Sequence, residues 1–228
     1  MLESTEDLKT ALQWAADLLA EKNAAKFYIS EENFVRAYKQ NGAFSFIVKG
    51  EPFYGQLYGE GAYFDERCTN VATASFKPDS IGALKQGVGF QLWEAATTDS
   101  GVRIELLTNI EEINLILSEH APDSSVRPGD SEEIFWGGVR NDSGELASLA
   151  ALVKWQSGFH VLSSVVTRAQ DRGKGYATKL SKAMTAHAYS LGIREVGLGV
   201  RSENLAAQRA YEKAGFKKLA DFTHYFQE

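Results

Sequence analysis

Apolar residues recur at helical spacing in residues 5–22. Leu8, Ala11, Leu12, Ala15, Leu18 and Leu19 make one stripe, and Ser4 or Thr5 can cap it. Residues 31–40 read as a second short helix. From 43 to 97 the pattern changes. Runs at 44–48, 54–58, 71–76 and 90–93 are rich in aromatic and β-branched residues and are punctuated by glycines, which predicts short strands and turns. The polar stretch 97–101 is a candidate boundary.

Beyond it the periodicity sharpens. A strand is predicted over 102–108, then a helix over 109–119, with Glu111 and Glu112 at its positive end. Residues 121–130 hold Pro122, Pro128 and Gly129 and read as a loop. Strands at 134–140 and 146–155 flank the turn Asn141-Asp142-Ser143-Gly144. A third strand covers 159–167. Residues 174–191 carry the helical stripe Ala177, Leu180, Met184, Ala188 and Leu191, stopped by Gly192. A strand at 195–200, a helix at 205–214 ended by Gly215, and terminal strands at 216–219 and 222–226 complete the chain. No repeat of these later signals appears in the first hundred residues.

Composition changes this picture little. The 228 residues are 44% hydrophobic and 24% charged, with 20 Gly and 4 Pro, which excludes collagen-like and disordered chains. Cys68 is the one cysteine, so no intrachain disulfide and no cysteine-based zinc cluster can form. The expectation is a buried or semi-buried thiol in a cytoplasmic protein, with no metal. No stretch approaches the ~20 apolar residues of a membrane span, and the N-terminus does not read as a secretory signal. Charge is uneven. Residues 1–130 hold 11 Lys/Arg against 20 Asp/Glu, and residues 131–228 hold 13 against 10. A net charge of −6 argues against general nucleic-acid binding, while the basic second half can still meet a compact anion.

The chemistry-bearing segment runs from Val165 to Thr178. A strand enters a turn with Gly173 and Gly175, and the turn opens a helix. Glycines let backbone N–H groups converge on a ligand, and the helix aims its positive end at the same spot. Arg172 and Lys174 add positive charge. Asp171 is the discordant residue and is expected to face solvent or to pair with Arg168 or Arg172. Two anion-binding patterns fail. No Gly-Lys-Ser/Thr closes a Walker A frame, and Thr178 stands where a dinucleotide fingerprint needs its third glycine. Tight packing is the alternative reading of the two glycines.

What remains, Gln170-x-x-Gly173-x-Gly175 between strand and helix, resembles the signature of the GNAT superfamily of acyl-CoA-dependent N-acetyltransferases. Asn204-x-x-Ala207-x-x-x-Tyr211-x-x-x-Gly215-Phe216 resembles the second signature of that family. Thr167 and Asp171 depart from it, standing where the family often has Pro and Gly. The resemblance covers residues 101–228. It implies an α/β fold with a GNAT-type mixed, mostly antiparallel sheet flanked by helices, preceded by an additional N-terminal α+β domain at 1–100. That domain is a partner or effector, or a decayed second copy. A splayed strand pair in 1–100 would mark the copy, and a structure without one there would sink that reading.

The resemblance further implies an acetyl-CoA-dependent N-acetyltransferase acting on a primary amine by direct attack. Acetyl-CoA is then the cosubstrate and a small-molecule or peptide amine the partner, and a homodimer is left open. By the same analogy Val165, Val166 and Thr167 line the pantetheine arm, and a strand N–H near Val165 faces the developing oxyanion. The backbone of Arg172, Gly173, Lys174, Gly175, Tyr176, Ala177 and Thr178 holds the pyrophosphate. Asn204 binds the cofactor arm, and Tyr211 protonates the departing thiolate. A core tyrosine is the alternative for Tyr211. The family uses varied bases, so none is carried over by motif. Position offers His160, whose side-chain type titrates near neutrality, and Glu133. A non-catalytic acyl-CoA-binding module is the competing function.

Overall fold

A computed structural model describes residues 1–19, 22–51, 53–74, 76, 81–96 and 101–227; most of the candidate boundary, 97–100, lies outside the described residues. The chain begins with β1 (Glu3–Thr5), α1 (Leu8–Leu18) and the short α2 (Lys22–Ala25). Ser4 and Thr5 belong to β1, so the cap of α1 is Asp7, whose carboxylate accepts the Thr10 N–H at 2.7 Å. The helix expected at 31–40 is instead a strand, β2 (Phe34–Gln40). It turns through Asn41 (φ 51°) and Gly42 (φ 81°) into β3 (Ala43–Lys49). Two successive left-handed residues match the twist of an antiparallel pair, and Asn-Gly supplies them most readily. That turn chemistry overrides the weak helical spacing.

Three strands follow: β4 (Phe53–Tyr58), β5 (Asn70–Ala74) and β6 (Lys85–Ala95). The second half runs in the expected order: β7 (Glu105–Leu107), α3 (Ile110–His120), β8 (Glu133–Arg140), β9 (Leu146–Lys154), β10 (His160–Thr167), α4 (Tyr176–Ser190), β11 (Val196–Arg201), α5 (Leu205–Lys213) and β12 (Phe216–Phe226). The two terminal strands expected at 216–219 and 222–226 are one strand, which absorbs two register slips against β6.

All the strands join one mostly antiparallel sheet, ordered β1-β2-β3-β4-β5-β12-β6-β11-β10-β9-β8-β7. Its parallel pairs are β4 with β5 and β10 with β11. The two halves interlock at the centre. The last strand of the first half, β6, pairs with β11, and the last strand of the second half, β12, pairs with β5. The division at residue 100 therefore follows the chain but not the sheet.

Each half thus has five strands in chain order ending in a parallel pair, and each receives the other's last strand. The pairs differ in one respect. β4 and β5 stay in register over five residues, Tyr54–Tyr58 against Asn70–Ala74. β10 and β11 pair only from His160 to Leu162 and then separate. Among the described residues the first half has no splayed pair.

Helices α1 and α3 cover one face, where Ala11, Ala15, Ile113 and Leu117 pack with Phe44, Phe46, Leu149 and Val161. On the other face α4 and α5 bury Leu180, Met184 and Tyr211 against Leu152, Leu162 and Leu198. In the first half that second face is closed by loop residues, with Cys68 buried beside Ile47, Leu57 and Val71. Burial pushes the Cys68 thiol up to about 12. Among the described residues no helix is long and apolar enough to cross a membrane.

Candidate active site

The site is organised by β10. Its register with β9 slips between Ser163 and Val166, leaving Ser164 and Val165 outside the ladder. Ser164 has φ 50°, a left-handed conformation that costs an L-residue roughly 1–2 kcal/mol. Its hydroxyl offsets part of that cost by holding the loop after α3. Oγ accepts the Val126 N–H at 3.2 Å and donates to the Val126 carbonyl at 3.0 Å. Ser125 Oγ and Ser163 Oγ lie 3.3 Å apart.

Past the bulge the separated strands open a cleft of about 690 Å³. Val165, Val166 and Thr167 line it, as do Arg172, Gly173, Gly175, Tyr176, Ala177, Thr178, Asn204 and Tyr211, so it brings together every residue expected to hold the cofactor except Lys174. Gly173 and Gly175 have φ 78° and 85°, and a Cβ at either would meet no protein atom within 4 Å. Close packing therefore does not explain them; left-handed backbone beside open space does. Gly175 caps α4 with no side chain, and the first α4 amide to bond backwards is that of Lys179, on the Gly175 carbonyl at 3.0 Å. The N–H groups of Tyr176, Ala177 and Thr178 are left for an anion.

The charges sort themselves around that cradle. Asp171 neither faces solvent nor pairs with an arginine. It is buried, and accepts from Lys174 Nζ at 3.2 Å and from Asn141 Nδ2 at 3.4 Å. Lys174 does not line the cleft, and its ammonium is paired with Asp171. Asp123, the other carboxylate on the cleft, pairs with Arg201 at 3.2 Å. Arg172, Arg209 and Lys213 also line the cleft, and none of them is in an ion pair with a described residue. The cleft thus carries a positive surplus facing the free amides. Arg209 and Lys213 escaped the motif reading. The signal that finds them is the α5 stripe Ala206, Arg209, Ala210 and Lys213, one face at i, i+3, i+4 and i+7.

Asn204 caps α5 by accepting the Ala207 N–H at 3.1 Å, so its amide N–H₂ stays available to the cleft. Tyr211 is buried, and burial raises its phenol to about 12. No described residue hydrogen-bonds its hydroxyl. His160 and Glu133 do not reach the cleft. His160 sits four residues, or about 13 Å, along β10 from the bulge, with its pKa lowered by burial and by Lys154. Glu133 accepts the Gly129 N–H at 2.9 Å and holds the 121–130 loop. The histidine that does line the cleft is His120, at the end of α3. Its Nε2 is buried without a hydrogen bond, with Glu119 Oε2 at 3.5 Å. His187 packs edge-on against Phe135, 5.0 Å between ring centres. Among the described residues no cluster of three or more His, Cys, Asp or Glu could hold a metal.

A second cavity, of about 530 Å³, lies on the α1 and α3 face against the other side of the bulge. Ser163 and Ser125 form its floor toward β10, and Phe27, Tyr28, Tyr54 and Trp155 form an aromatic wall.

The cleft falls inside a region that matches the family model described as "Acetyltransferase (GNAT) family" over residues 104–216. The chain is 38% identical over 80 residues to a protein named "Uncharacterized N-acetyltransferase YobR" of Bacillus subtilis, covering 34% of this chain and 32% of that one. It spans about a third of the length of the curated relatives it matches. Among solved structures it superposes on an acetyltransferase from the GNAT family of Colwellia psychrerythraea, with a TM-score of 0.55, 13% identity and 100% of both chains covered. It also superposes on a GCN5-related N-acetyltransferase of Kribbella flavida, with a TM-score of 0.55, 14% identity, and 80% and 86% covered. These likenesses extend the fold match over the first half as well. With the strand order, the bulged β10 and the matched residues in agreement, residues 104–216 of this chain form a domain of the GNAT family.

Proposed function

We propose that the protein transfers the acetyl group of acetyl-CoA to a primary amine by direct attack. One observation carries this reading: a single bulge, Ser163 to Val165, has an anion cradle on one side and an open, aromatic-lined cavity on the other. A group transfer between two substrates needs that arrangement, whereas a binding module needs only the cradle.

Acetyl-CoA supplies the activated acetyl thioester. The amides of Tyr176, Ala177 and Thr178 hold its pyrophosphate, with Arg172, Arg209 and Lys213 supplying positive charge. The amide nitrogen of Asn204 and the unpaired edge of β10 at Val165 and Thr167 hold the arm. The Val165 N–H, released from the ladder by the bulge, donates to the developing oxyanion. His120 Nε2 takes the proton that the ammonium must lose, a role that neither His160 nor Glu133 can fill from its position. Tyr211 stays protonated throughout the working range, and its hydroxyl donates to the departing sulfur. A phenol raised to about 12 and a thiol near ~8.5 differ by roughly 3.5 units, or about 5 kcal/mol. Tyr211 therefore stabilises the thiolate by hydrogen bonding more than by complete proton transfer.

The first half supplies no second cofactor site. Its parallel pair is zipped shut, and among the described residues no helix follows either strand before the next strand. Without a splayed pair it does not support the decayed-copy reading, and the role we assign it is to wall the second cavity. A thiol-release assay with acetyl-CoA across a panel of amines tests the enzyme reading. Free CoA appearing with at least one amine is expected. Tight acetyl-CoA binding with no CoA released by any amine would leave the binding-module reading in its place.

A further inference from the structure

We infer that the N-terminal half selects the acceptor, and that the acceptor is a primary amine carried on an aromatic or similarly flat apolar body. The inference rests on the acetyltransferase reading and adds the substrate class. Its starting point is the composition of the second cavity. The acidic surplus of the chain suggests a pocket that attracts cations by charge alone. The first hundred residues instead contribute aromatic rings, with Lys49 as their one charged lining residue. The lining carboxylates, Asp130 and Glu132, come from the loop after α3.

The aromatic wall is held rigidly. Tyr28 lies 5.6 Å from Tyr54 and 5.7 Å from Trp155 between ring centres. Phe27 stacks on Phe159 at 3.8 Å and covers Gly197, where a Cβ would come within 2.2 Å of its ring. Two hydrogen bonds fasten the halves here: Ser157 Oγ donates to the Phe27 carbonyl at 2.5 Å, and Ser30 Oγ to the Gln156 carbonyl at 3.3 Å. A preformed wall binds a flat body without ordering cost. A volume of about 530 Å³ is in the range of small-ligand sites.

The orientation follows from the floor. Ser163 and Ser125 are the polar groups nearest the bulge, so the amine end points at them and the flat body lies on the wall. Asp130 and Glu132 favour a cation and disfavour an acceptor bearing its own carboxylate. Lys49, its Nζ held on the Glu32 carbonyl at 2.7 Å, offsets one of the two carboxylates and leaves the lining with a negative surplus. A polyamine would need acceptors spaced along its length, and the wall offers rings at those positions.

The test compares 2-phenylethylamine, putrescine and glycinamide by thiol release, and measures binding of each without acetyl-CoA by quenching of tryptophan fluorescence. We expect kcat/KM for 2-phenylethylamine to exceed that for putrescine at least tenfold. Tyr54→Leu and Trp155→Leu should each lower it tenfold or more while leaving acetyl-CoA affinity unchanged, which also shows that the variants are folded. Quenching should fall away in Trp155→Leu. Acetylation of all three amines at similar rates, or loss of activity in the variants that is equal for every amine, overturns the inference and leaves the enzyme reading standing. Quenching by 2-phenylethylamine with no CoA released from any amine overturns the enzyme reading and leaves the pocket's preference standing.

Discussion

Gly175→Ala, set against Gly192→Ala, separates the ligand cradle from ordinary backbone strain. The two glycines flank the same helix. Gly175 precedes α4 with φ 85° and Gly192 follows it with φ 87°, and a Cβ at either would meet nothing within 4 Å. The strain of forcing alanine into that conformation is about 1–2 kcal/mol at each. For a chain of this size that lowers Tm by roughly 2–8 °C in both variants. Their effects on binding must differ. Near Gly175 the loop also carries the unpaired amides, so a relaxed loop has to be bent back before an anion can bind. Returning about 1–2 kcal/mol of strain weakens CoA affinity by roughly 5–30-fold. Gly192 lies about 25 Å away along the helix, where its N–H bonds the Tyr189 carbonyl at 3.0 Å. CoA titration by calorimetry and thermal unfolding on both proteins give the comparison. A loss of stability in Gly175→Ala no greater than in Gly192→Ala, reduced by whatever strain its free loop relieves, with a selective loss of affinity in Gly175→Ala is expected. Affinity unchanged in Gly175→Ala, or weakened equally in both, would refute the cradle.

Other consequences can be checked separately. Tyr211→Phe should bind CoA like the parent and turn over at least tenfold more slowly, and any basic limb of the parent's rate profile below pH 10 should persist in the variant, since Tyr211 titrates only near about 12. Gly197→Ala should lose about 1–3 kcal/mol in urea unfolding, because its Cβ would displace the Phe27 ring; unchanged stability would show that the ring moves freely. Asp65 accepts hydrogen bonds from Arg67 and Tyr38, with Arg67 the larger cause of a pKa lowered to about 2 from the usual carboxylate value. A depressed carboxyl stabilises the fold above its unfolded pKa of ~4 and ceases to as pH falls through about 2. Asp65→Asn should therefore flatten stability against pH between about 4 and 2, and an unaltered acid limb would remove Asp65 from that role.

How far the sequence shows this protein depends on the range of each interaction. The elements after residue 102 are legible because each carries its own cap or stop: Asn109 and Asn204 bond their third following amides, and Gly192 and Gly215 end their helices in left-handed turns. The two-part signature is legible because backbone conformation at Gly173 and Gly175 leaves no other common residue type. The Asn41-Gly42 turn is equally local, but the helix expected over 31–40 leaves it unread. The surroundings of Asp171 were not legible, since its partner Asn141 lies in a hairpin thirty residues earlier. Neither was the aromatic wall, whose members at 27, 28, 54 and 155 share no spacing. Strand exchange was hidden for a related reason: β6 and β12 could each close either half, and only the assembled sheet decides which edge each one takes.

The comparison of the two parallel pairs explains why one half holds a site. An open strand edge leaves peptide groups without partners, and a fold keeps such an edge only where something else takes those groups. In the first half nothing does. A loop of eleven residues, 59–69, with no helix in it joins β4 to β5, Gly55 lets Cys68 approach to 3.0 Å of where its Cβ would stand, and β5 pairs along its whole length. In the second half α4 and α5 follow β10 and β11 and pack on the sheet beside the gap. Ser164, fixed in a left-handed conformation and tied to Val126, turns β10 out of register before the gap can close. The same bulge that opens the cleft also brings Ser163 to the floor of the aromatic pocket. A change that let β10 run straight would pair its edge with β11, close the cleft and move Ser163 off that floor, so the proposed cofactor binding and the proposed acceptor selection both depend on one residue's backbone conformation.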